Sequence, residues 1–320
     1  MDTLETNSHG SEETIKNSIW NSGFLLERRV AAFLRNSGYK VITNRGYLDP
    51  EQNKSREYDV YAHKNFEINE GGSYGIYPTF ICECKNNSKP IAFFIHDEEE
   101  FEPLVDEVRV SGIPAKIWHR NKYIPIQEFM EVIKIHHFCK PIAKIATQCC
   151  TFDKNWKADR DENLHETERT LTKALENEID DDFKNMTQWI ASEEAENDFV
   201  DLSLYYPLVI YQGEIDAISF VKNGQQTKDD VIITKCNHIQ YNPEFYSFYT
   251  GEVISYHIDV ITEKYLPTYI EIIEKEITDF KQILQQKKQP IQLTVNRLMV
   301  ECRSLEKKPK SYRKYLECQY

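Results

Sequence analysis

Residues 80–85 read Phe-Ile-Cys-Glu-Cys-Lys, an apolar strand-like run that turns acidic and then basic at its end. This feature constrains the fold most. A period of two puts Ile81, Glu83 and Lys85 on one face and Phe80, Cys82 and Cys84 on the other. Upstream, residues 56–62 read Arg-Glu-Tyr-Asp-Val-Tyr-Ala, and the same period groups Glu57, Asp59 and Tyr61 opposite Tyr58 and Val60. Two neighbouring strands would then bring Asp59, Glu83 and Lys85 together. One reading is a cross-strand salt bridge at a sheet edge. The other is a site, because paired carboxylates are hard oxygen ligands suited to Mg²⁺ and a lysine beside them can orient or help deprotonate a water.

A helix precedes these strands. Trp20, Phe24, Glu27, Ala31 and Leu34 follow the spacing of one helical face, flanked by Gly23, Leu26, Val30 and Phe33. Gly38 supplies the stop, and residues 39–43 read as the next strand. Glu27 is out of place in such a stripe. Either it sits at the edge and pairs with a surface Lys or Arg, or it meets a buried cation or metal.

The ordered set resembles the PD-(D/E)xK superfamily of restriction-endonuclease-like nucleases. The cadence Gly23, Glu27, Val30, Leu34, Gly38, Tyr39, Val41 looks most like its Mrr-type branch. The resemblance spans roughly residues 15–125. It implies an α/β fold whose minimal core runs helix, three strands, helix, strand. It further implies a Mg²⁺- or Mn²⁺-dependent endonuclease hydrolysing phosphodiester bonds in DNA, with RNA as an alternative substrate. Asp59 and Glu83 would be metal ligands, Lys85 the catalytic lysine, and Glu27 the helix glutamate that reaches the metal directly or through water. Tyr58 stands where the family name has proline, and no Gln-x-x-x-Tyr follows the lysine. Restriction, anti-phage defence or repair would be the setting, and cutting both strands calls for a homodimer. A binding or scaffold protein that retains the fold is the rival, although all four site residues are intact.

Residues 86–89 form a turn, with Asn86 and Lys89 candidates for phosphate contacts. Residues 91–112 are expected to be helical, with a kink or restart at Pro103, and Asp97 to Glu100 to be a solvated helix start. Residues 115–119 are expected as the fourth strand, closing the core by about residue 120. Lys116, Arg120 and Lys122 add basic charge near it.

The net charge of −13 argues against a polyanionic partner only if charge is uniform, and it is not. Residues 151–200 hold 15 acidic against 6 basic residues, while residues 281–320 hold 10 basic against 3 acidic. Such segregation allows phosphate binding on one face, or the basic end simply pairs with the acidic segment. The apolar runs are too short to span a bilayer and no secretory signal opens the chain. The 8 cysteines follow no paired framework, which suits a reducing cytoplasm.

The expected organisation is a flexible tail (1–14), a nuclease-like core (15–145), an acidic helical connector (146–200) and an accessory α/β region with a basic end (201–320), offering a surface for a further protein partner. The tandem pairs His136-His137 and Cys149-Cys150 fit poorly with the spaced ligand pairs of structural zinc sites, so buried thiols and a partly exposed histidine pair are expected. Residues 126–138 read as a helix or a helix–strand junction. Residues 167–191 read as an amphipathic helix, with Asp180 to Asp182 in a solvated turn. Strands are expected over 208–220, 231–241 and 251–262, with a hairpin at Asn223-Gly224 and a helix from Glu263 to about Gln286. Glu214 and Asp216 fall on one strand face, and Asp259 sits in an apolar strand.

Overall fold

Tyr205-Tyr-Pro-Leu-Val-Ile-Tyr211 is buried throughout and lies at the centre of the sheet. The computed structural model describes residues 11–305 apart from 21, 69–73, 88, 96–107, 154, 160, 161, 191–199, 222–227 and 248–250. The chain begins with α1 (Glu12–Trp20) and α2 (Phe24–Asn36), then β1 (Lys40–Asp49), β2 (Lys54–His63), β3 (Phe66–Glu67) and β4 (Tyr74–Asn86). Next come β5 (Ile91–Ile95), β6 (Val110–Ile113), β7 (Lys116–His119), β8 (Lys122–Pro125), α3 (Ile126–Phe129), β9 (Lys144–Phe152) and β10 (Ala158–Asp159). A long helix, α4 (Glu162–Ile190), leads to β11 (Val200–Gln212), β12 (Ile215–Phe220), β13 (Val231–Cys236), β14 (His238–Tyr241), β15 (Glu244–Tyr246), β16 (Val253–Ser255) and β17 (Ile258–Thr262). The described chain ends in α5 (Leu266–Gln286) and α6 (Lys288–Leu305).

One mixed sheet of 13 strands runs in the order β1-β2-β4-β11-β17-β14-β9-β5-β12-β13, with β3, β6 and β10 paired beside that path. The strands β1, β2 and β4 are antiparallel neighbours, whereas β11 lies parallel to β4 along its whole length and parallel to β17 on its other side. Flanked on both edges and covered on both faces, β11 is apolar along nearly its full length, as a central parallel strand must be. Pro207, which lacks an N–H, falls in the gap between β6, paired as far as Leu204, and β17, paired from Leu208.

Helices cover both faces of the sheet. Leu26, Val30, Ala31 and Leu34 of α2 pack with Ile270, Ile273, Ile277 and Phe280 of α5 and Ile291 and Val295 of α6 against one face. Leu171, Ala174 and Leu175 of α4 pack against Tyr58, Tyr61, Ile81 and Tyr205 on the other. Tyr58 thus shares a face with Tyr61 and not with Val60, and the strict alternation expected along β2 breaks beside Asp59. The described chain is therefore a mixed α/β fold with helical layers on both faces of the sheet.

Several expectations are corrected. The segment expected as a helix from 91 to 112 supplies β5 and β6 at its ends; Asp97 to Glu100 and Pro103 lie outside the described residues. Ile91-Ala-Phe-Phe-Ile is a short apolar run, which periodicity alone cannot assign, and pairing with β12 and β9 makes it a strand. Residues 116–119 do not become the fourth core strand but form a separate hairpin with β8. The strand beside β4 is β11, preceded by α4, so sequence placed the neighbours of β4 too early in the chain. The helix expected over 126–138 shrinks to α3 and a 3₁₀ turn at Val132–Lys134. Each of the three long strands expected after residue 200 divides into two. Asn223-Gly224 lies outside the described residues. The polar opening ends earlier than expected, since α1 starts at Glu12, and Asp180 to Asp182 lie inside α4 rather than in a turn. His136 and His137 are fully buried, not partly exposed.

Candidate active site

Strands β2 and β4 pair from His63↔Thr79 to Val60↔Cys82 and then part. Beyond that point β2 stays with β1, and β4 stays with β11 as far as Asn86↔Gln212. Asp59 and Glu83 are the first residues past the parting, one on each arm of the fork. Asp59 Oδ2 accepts a 2.7 Å hydrogen bond from the Cys84 N–H, closing the fork at its base. Lys85 Nζ lies 2.9 Å from Glu83 Oε2. The cross-strand pairing considered from sequence is therefore present within one strand, Glu83 to Lys85, and Asp59 is held by backbone.

Glu27 approaches from α2, whose local sequence fixes its start and stop. Gly38 adopts φ +86°, and the Gly38 and Tyr39 N–H groups bond back to the Arg35 and Leu34 carbonyls, ending the helix as its sequence implies. At the other end, a Cβ at Gly23 would lie 3.5 Å from Glu27 Oε1 and 4.0 Å from the Cys84 carbonyl, so the head of α2 abuts the end of β4. Glu27 is half-buried, and its side chain makes no hydrogen bond or ion pair among the described residues. Arg29 anchors the helix through two bonds to Glu263, at 2.6 and 2.9 Å, and one to Gln212 at 3.1 Å.

The electrostatics follow from crowding acids at a buried fork. Burial pushes the Glu83 carboxyl up to about 7, helped by the Asp59 and Glu27 charges and opposed by Lys85. Burial also raises Glu27, as does the charge on Asp59. Asp59 is raised by burial against the opposing Cys84 N–H and Lys85. Burial disfavours the Lys85 ammonium, yet Glu83 and Asp59 outweigh it and hold its pKa above the ordinary lysine value.

Across the fork lies a cleft of about 630 Å³ lined by Gln52, Lys54, Ser55, Arg56, Glu57, Asp59, Glu83, Lys85, Glu166, Thr167 and Thr170. Its far wall is the start of α4. That helix is fixed over the sheet by Glu178, which accepts two 2.7 Å bonds from Arg45 and one of 2.8 Å from the Tyr58 hydroxyl. Lys173 adds bonds of 3.0 Å to both oxygens of Asp49. Sequence reading recognised the helix but not which face it presents, so Glu166, Thr167 and Thr170 were missed. Lys54 and Arg56 were missed too, although Arg56 opens the motif that carries Asp59.

The five residues expected to contact phosphate do not line this cleft. Asn86 sits at the end of β4 with its amide 3.5 Å from the Ser22 carbonyl. Lys89 bonds the Asp153 carbonyl and lies 4.6 Å over the Trp156 ring. Lys116, Arg120 and Lys122 belong to the β7–β8 hairpin, whose turn residues Arg120 and Asn121 both have positive φ and whose Trp118 packs under Arg297 of α6. No family model, curated protein or solved structure matches this chain.

Proposed function

We propose that this protein is a metal-dependent endonuclease of the restriction-endonuclease-like, PD-(D/E)xK kind, acting on DNA. The observation that carries the reading is the fork. Asp59, Glu83 and Lys85 meet where β2 and β4 part, with the unpaired carboxylate of Glu27 arriving from the preceding helix. The order of elements supports it as well: α2, then three antiparallel strands β1, β2 and β4, then α4, then β11 parallel to β4. Residues 87–161 would be an insertion between the Glu-x-Lys strand and the second helix.

The donor set fits a hard divalent cation. Among the described residues Asp59 Oδ1 and the Glu27 carboxylate have no hydrogen-bond partner, and burial raises the Glu83 carboxyl to about 7 against the opposing charge of Lys85. Asp59 and Glu83 line the cleft with Lys85, and Glu27 stands close enough to feel both charges, although the three carboxylates do not converge to metal-ligand spacing. Closing on Mg²⁺ or Mn²⁺ would relieve their mutual repulsion. When bound, such an ion supplies charge stabilisation for the phosphoryl transition state. Asp59, Glu83 and Glu27 would hold it. Lys85, fixed against Glu83, orients the attacking water and offsets developing charge. Lys54 places a further cation on the cleft wall, where a phosphate backbone would run, and Arg56 stands beside it already paired with Asp49 at 3.3 Å and Glu166 at 3.2 Å. Two copies, one per strand, would cut a duplex.

The test is cleavage of supercoiled plasmid, linear DNA and single-stranded RNA in Mg²⁺, Mn²⁺ and EDTA, beside folded Lys85→Ala and Asp59→Ala variants. Metal-dependent cleavage lost in both variants is expected. RNA cut in place of DNA would keep the site and change the substrate. Cleavage that survives in both variants, or no cleavage of any substrate, would overturn the reading.

A further inference from the structure

A second constellation lies in the layer that holds α5, away from the cleft. His136 and His137 form a turn after the 3₁₀ segment, and their rings stack at 4.8 Å with 18° between planes. His137 Nδ1 lies 2.8 Å from Glu276 Oε1 of α5, and its Nε2 lies 2.8 Å from Asp259 Oδ2 of β17. Asp259 is itself held by His238 Nε2 at 2.6 Å and the Tyr269 hydroxyl at 2.6 Å. All of these groups are buried, and His136 Nε2 is a buried nitrogen with no hydrogen-bond partner. One ligand atom from each of His136, His137 and Glu276 lies within 4.8 Å of the other two.

We propose that His136, His137 and Glu276 form a buried structural zinc site, with Asp259 orienting His137 from its other ring nitrogen. Three features carry this. First, two imidazoles and one carboxylate are a donor set that favours zinc over the hard cations suited to the fork. Second, a metal-binding histidine donates its second N–H to a carboxylate that is itself hydrogen-bonded, and His137 to Asp259 to His238 and Tyr269 has that form. Third, the orphaned His136 Nε2 is an otherwise unexplained polar atom in the core, and ligation would give it a partner. The fit asks for rearrangement, because ligand atoms separated by as much as 4.8 Å must close to roughly 3.3 Å around one ion. His137, flanked by carboxylates on both ring nitrogens, must release its Nδ1 proton to solvent. Its Nδ1 and Glu276 Oε1 must open from 2.8 Å to roughly 3.3 Å to span tetrahedral zinc with ligand bonds of about 2.0–2.1 Å. His136 must also give up the 3.2 Å bond its Nδ1 accepts from the Phe138 N–H, since ligation at Nε2 moves the ring proton to Nδ1. Three protein donors leave the fourth position of a tetrahedral ion to a water or to the second oxygen of Glu276, and burial gives the ion a structural role. It ties the turn at 136–139 to α5, and through Asp259 to β17, with no exposed position for a substrate.

The experiment starts from full-length protein purified without a histidine tag, with Asp59→Ala introduced so that the fork does not contribute. Metal content by mass spectrometry should give one zinc per chain. Removing it with a strong chelator should lower the melting temperature, and ZnSO₄ alone should restore it with a one-to-one endpoint. Cobalt(II) in its place should give the visible absorption of a tetrahedral site. His136→Gln should lose the zinc, and Glu276→Gln provides a second ligand variant should the first not fold. Protein without zinc whose melting temperature ignores added ZnSO₄ would overturn the proposal. So would zinc retained at one equivalent in both ligand variants.

Discussion

Replacing Glu83 by Gln should stabilise the metal-free protein while abolishing its proposed chemistry, and the size of the effect follows from the fork. Burial raises the Glu83 carboxyl from 4.5 to about 7. Below pH 4.5 the acid is protonated in both folded and unfolded chains. Between those values the unfolded chain has released its proton and the folded protein keeps it, so stability falls as pH rises. Above about pH 7 the penalty is constant. A shift of about 2.5 units at 1.36 kcal/mol each amounts to roughly 3 kcal/mol. Gln mimics the neutral acid and escapes this penalty. Urea denaturation in EDTA should therefore show Glu83→Gln more stable by up to about 3 kcal/mol at pH 8, and by only about 1 kcal/mol at pH 5. Mg²⁺ should narrow the gap at pH 8 by stabilising the wild type alone. A variant no more stable than wild type at pH 8, or a gap that does not grow from pH 5 to pH 8, would refute the reasoning.

Three further outcomes can be checked independently. Because the metal would compete with a proton on Glu83, apparent Mg²⁺ affinity by calorimetry should rise up to tenfold per pH unit below about pH 7 and level off above it; Lys85→Gln, which removes the cation that lowers this pKa, should move the knee to higher pH. Gly112 has φ +135°, and a Cβ there would lie 2.0 Å from the Asp201 carbonyl, so Gly112→Ala should lose about 2–4 kcal/mol in chemical denaturation. Glu178→Ala removes the acceptor of the paired Arg45 bonds and of the buried Tyr58 hydroxyl, leaving both donors unpaired, and should cost about 2 kcal/mol. Since the same bonds hold α4 over the fork, that variant should also lower cleavage of DNA at temperatures where it remains folded.

Local pattern was enough for the near side of the fork. Not every position followed it: Trp20 falls in α1, Phe24 is exposed and the alternation in β2 breaks at Tyr58. The stripe Leu26, Val30, Ala31 and Leu34 of α2, the glycine at positive φ that ends it, and the alternation in β4 are all short-range properties, read within a dozen residues. They brought Glu27, Asp59, Glu83 and Lys85 together on paper, and the fold places the last three at one fork with Glu27 beside it. The same rules misread Ile91-Ala-Phe-Phe-Ile, because a short buried run has no period that separates strand from helix until its partners are known. They also assigned phosphate contacts by nearness in sequence, and Lys116, Arg120 and Lys122 are carried off by a hairpin that packs on α6.

What sequence determined by itself, then, was the choice of Asp59, Glu83 and Lys85 as neighbours and the faces of β4, but not those of β2, where Tyr58 packs with Tyr61 and opposite Val60. Tertiary structure alone decided that β11, far along the chain, completes the sheet beside β4, and that the start of α4 walls the cleft with Glu166, Thr167 and Thr170. It also decided that His137 meets Asp259 and Glu276 from two distant elements. Side-chain period is a property of neighbours along the backbone. Strand order and buried ion pairing are settled by which distant segments bury the most apolar surface together, and no local spacing records that choice.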